Sequence, residues 1–96
     1  MKVVYHPRVR KDVSQAQRRY DRISVRLGDE FWEELMALID KAASNPLRYR
    51  IYSEPLRRAN LKRFPYHFLF RVVSEGIRVT VIRHNKRHPG FGLDRR

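Results

Sequence analysis

The apolar residues of this chain change their spacing near its middle, and no other feature constrains the fold more. In the first half they recur every three or four residues, which is the period of an amphipathic helix. In the second half they alternate, which is the period of a strand. Since 96 residues are one domain in length, we predict a single α+β domain over residues 1–96.

Two helices are predicted in the first half. The first begins at Pro7, where the missing N–H costs no helical hydrogen bond, and its apolar stripe ends at Leu27. Gly28 is the expected left-handed stop of this helix, and Asp29 is the expected cap of the next. The second helix ends at residues 44–46. The short link makes the two helices an antiparallel hairpin.

The remaining elements are strands and loops. Strands are predicted at residues 2–6, 58–63, 66–73 and 77–83. Residues 47–57 lack a clear period and are expected to form a loop that can contain one helical turn. Residues 85–96 are an expected irregular basic tail. The predicted order is β-α-α-β-β-β, with the helical hairpin on one face of a mostly antiparallel sheet of about four strands.

The register of the last hairpin decides which side chains the sheet displays. If residues 75–76 form its turn, Phe70 pairs with Val81 and His67 lies beside His84. Both histidines then lie on the face that the helices leave uncovered. We expect that face to be open to a ligand.

Charge constrains the partners of the chain. It has 22 Lys and Arg against 10 Asp and Glu, a formal net charge of +12, so we predict a polyanionic target or an acidic protein partner. Cysteine is absent, which excludes disulfides and thiolate metal sites. No metal or other cofactor is predicted. No apolar run approaches the roughly 20 residues of a membrane span, and a cytoplasmic protein is expected.

Histidines and arginines on one sheet face suit chemistry on phosphodiesters. RNA is cut without a metal when a base activates the 2′-hydroxyl, cations stabilise the phosphate and an acid protonates the leaving oxygen. Histidine can be that acid or base near neutral pH. The candidate catalytic residues are His67, His84, Arg87 and Arg58. The candidate contacts to a nucleic acid or other target are Lys62, Arg63, Arg71, Arg83, Lys86 and His88.

The block RRANLKRFPYHFLFRVVSEGIRVTVIRHNKRHP, at residues 57–89, resembles the RelE/ParE superfamily of type II toxin–antitoxin toxins. The segments VVYHPRVRKD and ALIDKAASNP resemble the family's opening strand and helix start and its second-helix ending. The resemblance is closest to the ParE-like, plasmid-stabilisation members. It implies a small α+β toxin fold, an acidic antitoxin that masks the active surface, and bacterial growth inhibition as the function.

The resemblance also implies positions for a RelE-type site. The basic strand position matches Arg58, a cation position is occupied by His67, and the late basic position matches Arg87. No tyrosine follows Tyr66, so the aromatic hydroxyl that many nuclease members carry near the C-terminus is missing, unless His84 or His88 replaces it.

Three functions remain open on the sequence. The first is an endoribonuclease that cleaves mRNA on the ribosome, as RelE-like members do. The second is a DNA gyrase inhibitor without catalysis of its own, as ParE-like members are. The third is a non-toxic basic module of the same fold that binds RNA or DNA. Whether the protein is an enzyme therefore depends on the target.

Overall fold

A computed structural model describes residues 2–96. The elements are β1 (Lys2–Tyr5), α1 (Val9–Asp21), α2 (Val25–Ser44), a 3₁₀ turn (Pro46–Arg48), β2 (Ile51–Ser53), β3 (Leu56–Asn60), β4 (Tyr66–Val73) and β5 (Gly76–His84). The predicted α+β class, with a helical hairpin on a mostly antiparallel sheet, is confirmed. The sheet has five strands in the order β1-β5-β4-β3-β2, and β1 is parallel to β5. No helix of the described part is long and apolar enough to cross a membrane.

The boundary between the helices lies earlier than predicted. The Ser24 hydroxyl accepts a hydrogen bond of 3.0 Å from the backbone N–H of Leu27, so Ser24 caps α2 and Asp29 does not. Gly28 lies inside α2 instead of ending α1. A Cβ atom at Gly28 would overlap the carboxylate of Asp21, so the glycine leaves room for that side chain at the end of α1.

The segment predicted as a loop contains more structure than its sequence pattern indicates. The possible helical turn is present at Pro46–Arg48. The short strand β2 was missed, because its three residues are too few to show a period. The next strand, β3, begins at Leu56 and ends at Asn60, so the predicted strand at residues 58–63 is displaced.

The sheet is covered on both faces, and the prediction of an open face is wrong. The main core lies between the helices and the sheet and includes Phe31, Leu35, Phe68, Phe70 and Ile77. On the other face, Leu56, Leu69 and Val81 form a second core with Tyr52, Phe91 and Leu93. Residues 85–96 contain no helix or strand, but they pack over this second core.

The predicted register of the last hairpin is also wrong. Val73 pairs with Gly76, so residues 74–75 form the turn. A bulge then shifts the register between Leu69 and Phe70, and Leu69, instead of Phe70, pairs with Val81.

This register separates the two histidines that were expected to be neighbours. His67 pairs with Arg83, whereas His84 pairs with Tyr66. Since successive residues of a strand point to opposite faces, His84 lies on the helix side and His67 lies against the second core.

An ion pair closes the edge of β5 where β1 ends. β1 pairs with β5 only as far as Val79. Beyond that point the N–H of Ile82 donates to Asp12 Oδ2 at 3.1 Å, and Arg95 donates to the carbonyl oxygen of Thr80 at 3.1 Å. Arg95 Nη1 lies 2.6 Å from Asp12 Oδ2, and both side chains are only 7% exposed. The pair thus satisfies the strand edge and fastens residues 85–96 to α1.

We expect the substitution Gly76→Ala to destabilise the protein by about 3 kcal/mol, at the upper end of the cost of overpacking. An added Cβ would overlap the carbonyl oxygen of Lys2, so β1 would have to move away from β5. Urea denaturation followed by circular dichroism measures the effect. Gly90→Ala is the control, since its Cβ would meet only the exposed ring of His88, 3.2 Å away. Equal stability of the two variants would contradict the prediction.

Candidate functional site

A cavity of about 520 Å³ lies between α1, the adjacent ends of β4 and β5, and the segment that follows β5. It collects polar and charged groups from parts of the chain that are distant in sequence. Its lining residues are Asp12, Gln15, Ala16, Arg19, Tyr66, Ile82, Arg83, His84, Lys86, Arg87 and Phe91.

Three side chains of the lining form one connected group. Arg19, on α1, donates from Nη1 to the hydroxyl oxygen of Tyr66 at 3.3 Å. The rings of Tyr66 and His84 meet edge to face with centroids 5.0 Å apart. The pairing of Tyr66 with His84 across the two strands thus places a hydroxyl, an imidazole and a guanidinium at one wall of the cavity.

The imidazole of His84 is neutral and can donate a hydrogen bond. Its Nδ1 accepts the backbone N–H of Lys86 at 3.0 Å, so the neutral ring carries its proton on Nε2. Burial lowers the pKa of His84, and the positive charges of Arg19 and Lys86 lower it further. At neutral pH the side chain is therefore a hydrogen-bond donor through Nε2.

The cavity favours an anion. The one carboxylate in its lining is Asp12, and both oxygens of that group accept hydrogen bonds from Arg95. The cations Arg19, Lys86 and Arg87 have no such partner among residues 2–96. The guanidinium of Arg87 lies 3.9 Å from the ring centroid of Phe91, which keeps it at the cavity wall. A phosphate group matches this set of donors and charges.

Arg83 fixes the segment that forms one side of the cavity. The residue is 4% exposed, and its guanidinium has no carboxylate partner among residues 2–96. It donates from Nε to His67 Nε2 at 2.8 Å and from Nη2 to the Tyr52 hydroxyl at 2.8 Å. Its Nη1 donates to the carbonyl oxygens of residues 88, 89 and 91. These bonds hold Arg87 and Phe91 in place.

His67 is not exposed as predicted but lies beneath this segment, 1% exposed. Because Nε2 accepts from Arg83, the proton of the neutral ring is on Nδ1, which donates to Asn85 Oδ1 at 2.8 Å. Burial lowers the pKa of His67 to about 4; the bond to Asn85 opposes this, and the charges of Arg58 and Arg83 reinforce it. In this structure His67 is a packing and hydrogen-bonding residue.

The pKa of His67 predicts a pH-dependent stability. The folded value of about 4 is below the ordinary 6.5, so between these values the unfolded chain binds more protons. The stabilisation is complete above pH 6.5 and is lost as the pH falls to 4, by up to about 3 kcal/mol. Urea denaturation between pH 6.5 and 4 measures the effect. The free energy of unfolding should fall more steeply with decreasing pH for the wild type than for His67→Asn. Parallel curves would contradict the assignment.

The other predicted residues divide between separate places. His84, Lys86 and Arg87 line the cavity. Arg58 lies at a different groove beside β2. Arg63 forms an ion pair of 2.9 Å with Glu30. The remaining three lie outside the cavity lining: Lys62 is exposed beside Glu34, Arg71 is half-buried opposite Arg78, and His88 is exposed with Nδ1 accepting from Gly90.

Sequence reasoning missed Arg19 and Tyr66 as members of the site. Arg19 is one of many arginines in the first helix and Tyr66 begins a strand of alternating apolar residues, and neither position by itself indicates a site. The spacing of the first helix did indicate part of the site. Asp12, Ala16 and Arg19 are separated by four and three residues, so they share one face of the helix.

No group of three or more His, Asp or Glu side chains in residues 2–96 is arranged to hold a metal ion. The sequence matches no protein-family model, and no curated protein gives a significant match to it.

Proposed function

We propose that this chain is the toxin of a type II toxin–antitoxin pair, and that it acts in the cytoplasm on mRNA in the ribosome. The observation that carries the choice of RNA is the cavity where Arg19, Tyr66, His84 and Arg87 converge. Its size and its excess of positive donors suit a phosphodiester with an adjoining sugar. The resemblance of residues 57–89 to RelE/ParE toxins supports the toxin assignment.

The side chains of the cavity can stabilise a phosphate more readily than they can activate a nucleophile. Arg19 and Arg87 supply positive charge, and the Tyr66 hydroxyl and His84 Nε2 supply hydrogen bonds to phosphate oxygens. The lone pair of His84 Nδ1 is occupied by the N–H of Lys86, and Asp12 is occupied by Arg95. No free general base therefore lines the cavity. In this proposal the ribosome supplies the base that activates the 2′-hydroxyl and the acid that protonates the leaving oxygen, which makes cleavage ribosome-dependent.

The proposed partner is an acidic antitoxin. A net charge of +12 on 96 residues favours rapid association with a negatively charged segment. An antitoxin that places carboxylates against Arg19 and Arg87 would compete directly with RNA for the same cavity.

We expect Arg87→Ala and His84→Ala each to reduce mRNA cleavage by about 100-fold or more, since each removes a group that contacts the phosphate. The measurement is induced expression in bacteria, with growth curves and primer extension on cellular mRNA. Arg18→Ala is the matched control, because Arg18 is an exposed arginine of α1 that does not line the cavity. Circular dichroism verifies that each variant is folded.

A gyrase supercoiling assay on the purified chain accompanies this experiment. Loss of supercoiling without mRNA cleavage would contradict an RNA target and would support the gyrase inhibitor implied by the ParE-like resemblance. Normal growth on induction would contradict the toxin assignment itself and would leave a nucleic-acid-binding module. Cleavage of free RNA without ribosomes would contradict the inferred lack of a general base.

A further inference from the structure

A second cavity, of about 690 Å³, lies at the β2 edge of the sheet. We call it the β2 groove. It is distinct from the cavity described above, with which it shares no lining residue. Its lining residues are Arg48, Tyr49, Arg50, Ile51, Tyr52, Arg58 and Asn60.

The charges of the β2 groove are free to meet a ligand. None of its three arginines forms a salt bridge with a carboxylate of residues 2–96, and no acidic residue lines it. Arg48 and Arg50 are exposed at its rim. Arg58 is held by its Nε, which donates to Asn60 Oδ1 at 2.8 Å, and this bond leaves the terminal nitrogens of its guanidinium available.

Flat and apolar surfaces lie among these charges. Ile51 is 43% exposed, and the half-buried Tyr52 lies with its ring centroid 5.8 Å from the Arg58 guanidinium. The Asn60 side chain accepts from Arg58, so its amide N–H groups remain as donors. Arginines that contact phosphates, beside a ring and an aliphatic side chain that contact bases, are the components of single-strand binding surfaces.

One partly buried hydrogen bond links the two cavities. Arg83 lines the cavity at the end of β5, and its Nη2 donates to the hydroxyl of Tyr52, which lines the β2 groove. The exposed residues Arg87 and His88 lie in the segment that Arg83 holds. A polyanionic strand that runs from one cavity to the other across this segment would therefore pass close to positively charged side chains.

We propose that the β2 groove binds nucleotides of the same single-stranded RNA whose phosphate occupies the cavity of Arg19, Tyr66 and His84. The assignment of RNA rests on the proposed function; the groove itself recognises a single-stranded polyanion with accessible bases. A duplex would offer phosphates but would keep its bases stacked away from Ile51 and Tyr52. An acidic peptide would match the charge of the groove, but it would bring no planar bases to stack on Ile51 and Tyr52.

The test is equilibrium binding of a fluorescein-labelled oligouridylate about 12 nucleotides long to the purified chain, measured by anisotropy at several salt concentrations. The variant is Arg48→Ala/Arg50→Ala. The matched control is Arg18→Ala/Arg22→Ala, which removes the same charge from exposed positions of the helical hairpin. We expect the groove variant to bind about tenfold more weakly, with a salt slope smaller by about 1.4, and the control to retain most of the affinity.

The outcomes separate the groove from the proposed function, because binding needs no cleavage. Equal loss in the two double variants would overturn the proposal in favour of diffuse charge attraction. Equal affinity for a duplex of the same length would overturn it as well, and so would tighter binding of a polyglutamate peptide than of the oligonucleotide. Equal binding of oligothymidylate would retain the groove but would remove the preference for RNA. Specific binding without mRNA cleavage in cells would retain the groove and contradict the nuclease.

Discussion

Replacing Asp12 with alanine is expected to lower the free energy of unfolding by about 3–5 kcal/mol, the usual cost of removing one partner of a buried ion pair. Arg95 would then keep a buried charge with only the carbonyl oxygen of Thr80 as a hydrogen-bond acceptor. The N–H of Ile82 would also lose its acceptor. Such a loss is large beside the total stability of a small domain, about 5–15 kcal/mol.

Urea denaturation at neutral pH, followed by circular dichroism, measures the effect. Arg26→Ala is the control, since its ion pair with Glu30 involves an 89% exposed side chain and contributes little to stability. The double variant Asp12→Ala/Arg95→Met should recover part of the loss, because it leaves no unpaired charge. If Asp12→Ala costs no more than Arg26→Ala, the ion pair does not hold the strand edge.

Replacing Arg83 with methionine is expected to release the segment after β5 without unfolding the sheet. Arg83 is the shared donor to the carbonyl oxygens of residues 88, 89 and 91, and methionine can replace none of these bonds. We expect local opening to become easier by about 2 kcal/mol, which is about 30-fold in the open population. Trypsin cleavage after Arg87 should accelerate by the same factor.

The comparison for this prediction is Arg71→Met. Arg71 is a half-buried arginine of β4, opposite Arg78, and it makes no contact that holds the segment after β5. Mass spectrometry identifies the cleaved bond, and urea denaturation separates local from global opening. Equal cleavage rates in the two variants would show that packing of Phe91 and Leu93, rather than Arg83, retains the segment.

The periods of the sequence were enough to predict the α+β class and most of the elements, but not the short strand β2 or the pairing of the strands. Helical and strand periods report local burial, so the α+β class followed from them. The register depended on a turn one residue earlier than expected and on the bulge at Leu69 and Phe70. The alternation of apolar residues reveals neither of them. The sequence predicts Gly28 as a helix stop because glycine often ends helices, whereas here it lies inside α2 and leaves room for the Asp21 side chain.

The site was predictable to the extent that its residues lie close in sequence. His84, Lys86 and Arg87 follow one another at the end of β5, and all three line the cavity. Arg19 and Tyr66 join them only through the packing of α1 on the sheet, which no local pattern specifies. The burial of His67 could not be foreseen, since Phe91 and Leu93 lie in a segment rich in glycine without any period.

The position of β5 between β1 and β4 has a consequence for how the protein reaches its folded state. The hairpin of β4 and β5 and the helical pair form from neighbouring segments, whereas β1 pairs Lys2 with Gly76, which is distant from it in sequence. Because such distant contacts close late, we expect the addition of β1 to be the slow step of folding. Until it is complete, β5 exposes unpaired backbone groups along its edge. During that interval the chain is vulnerable to pairing with other unfinished copies of itself.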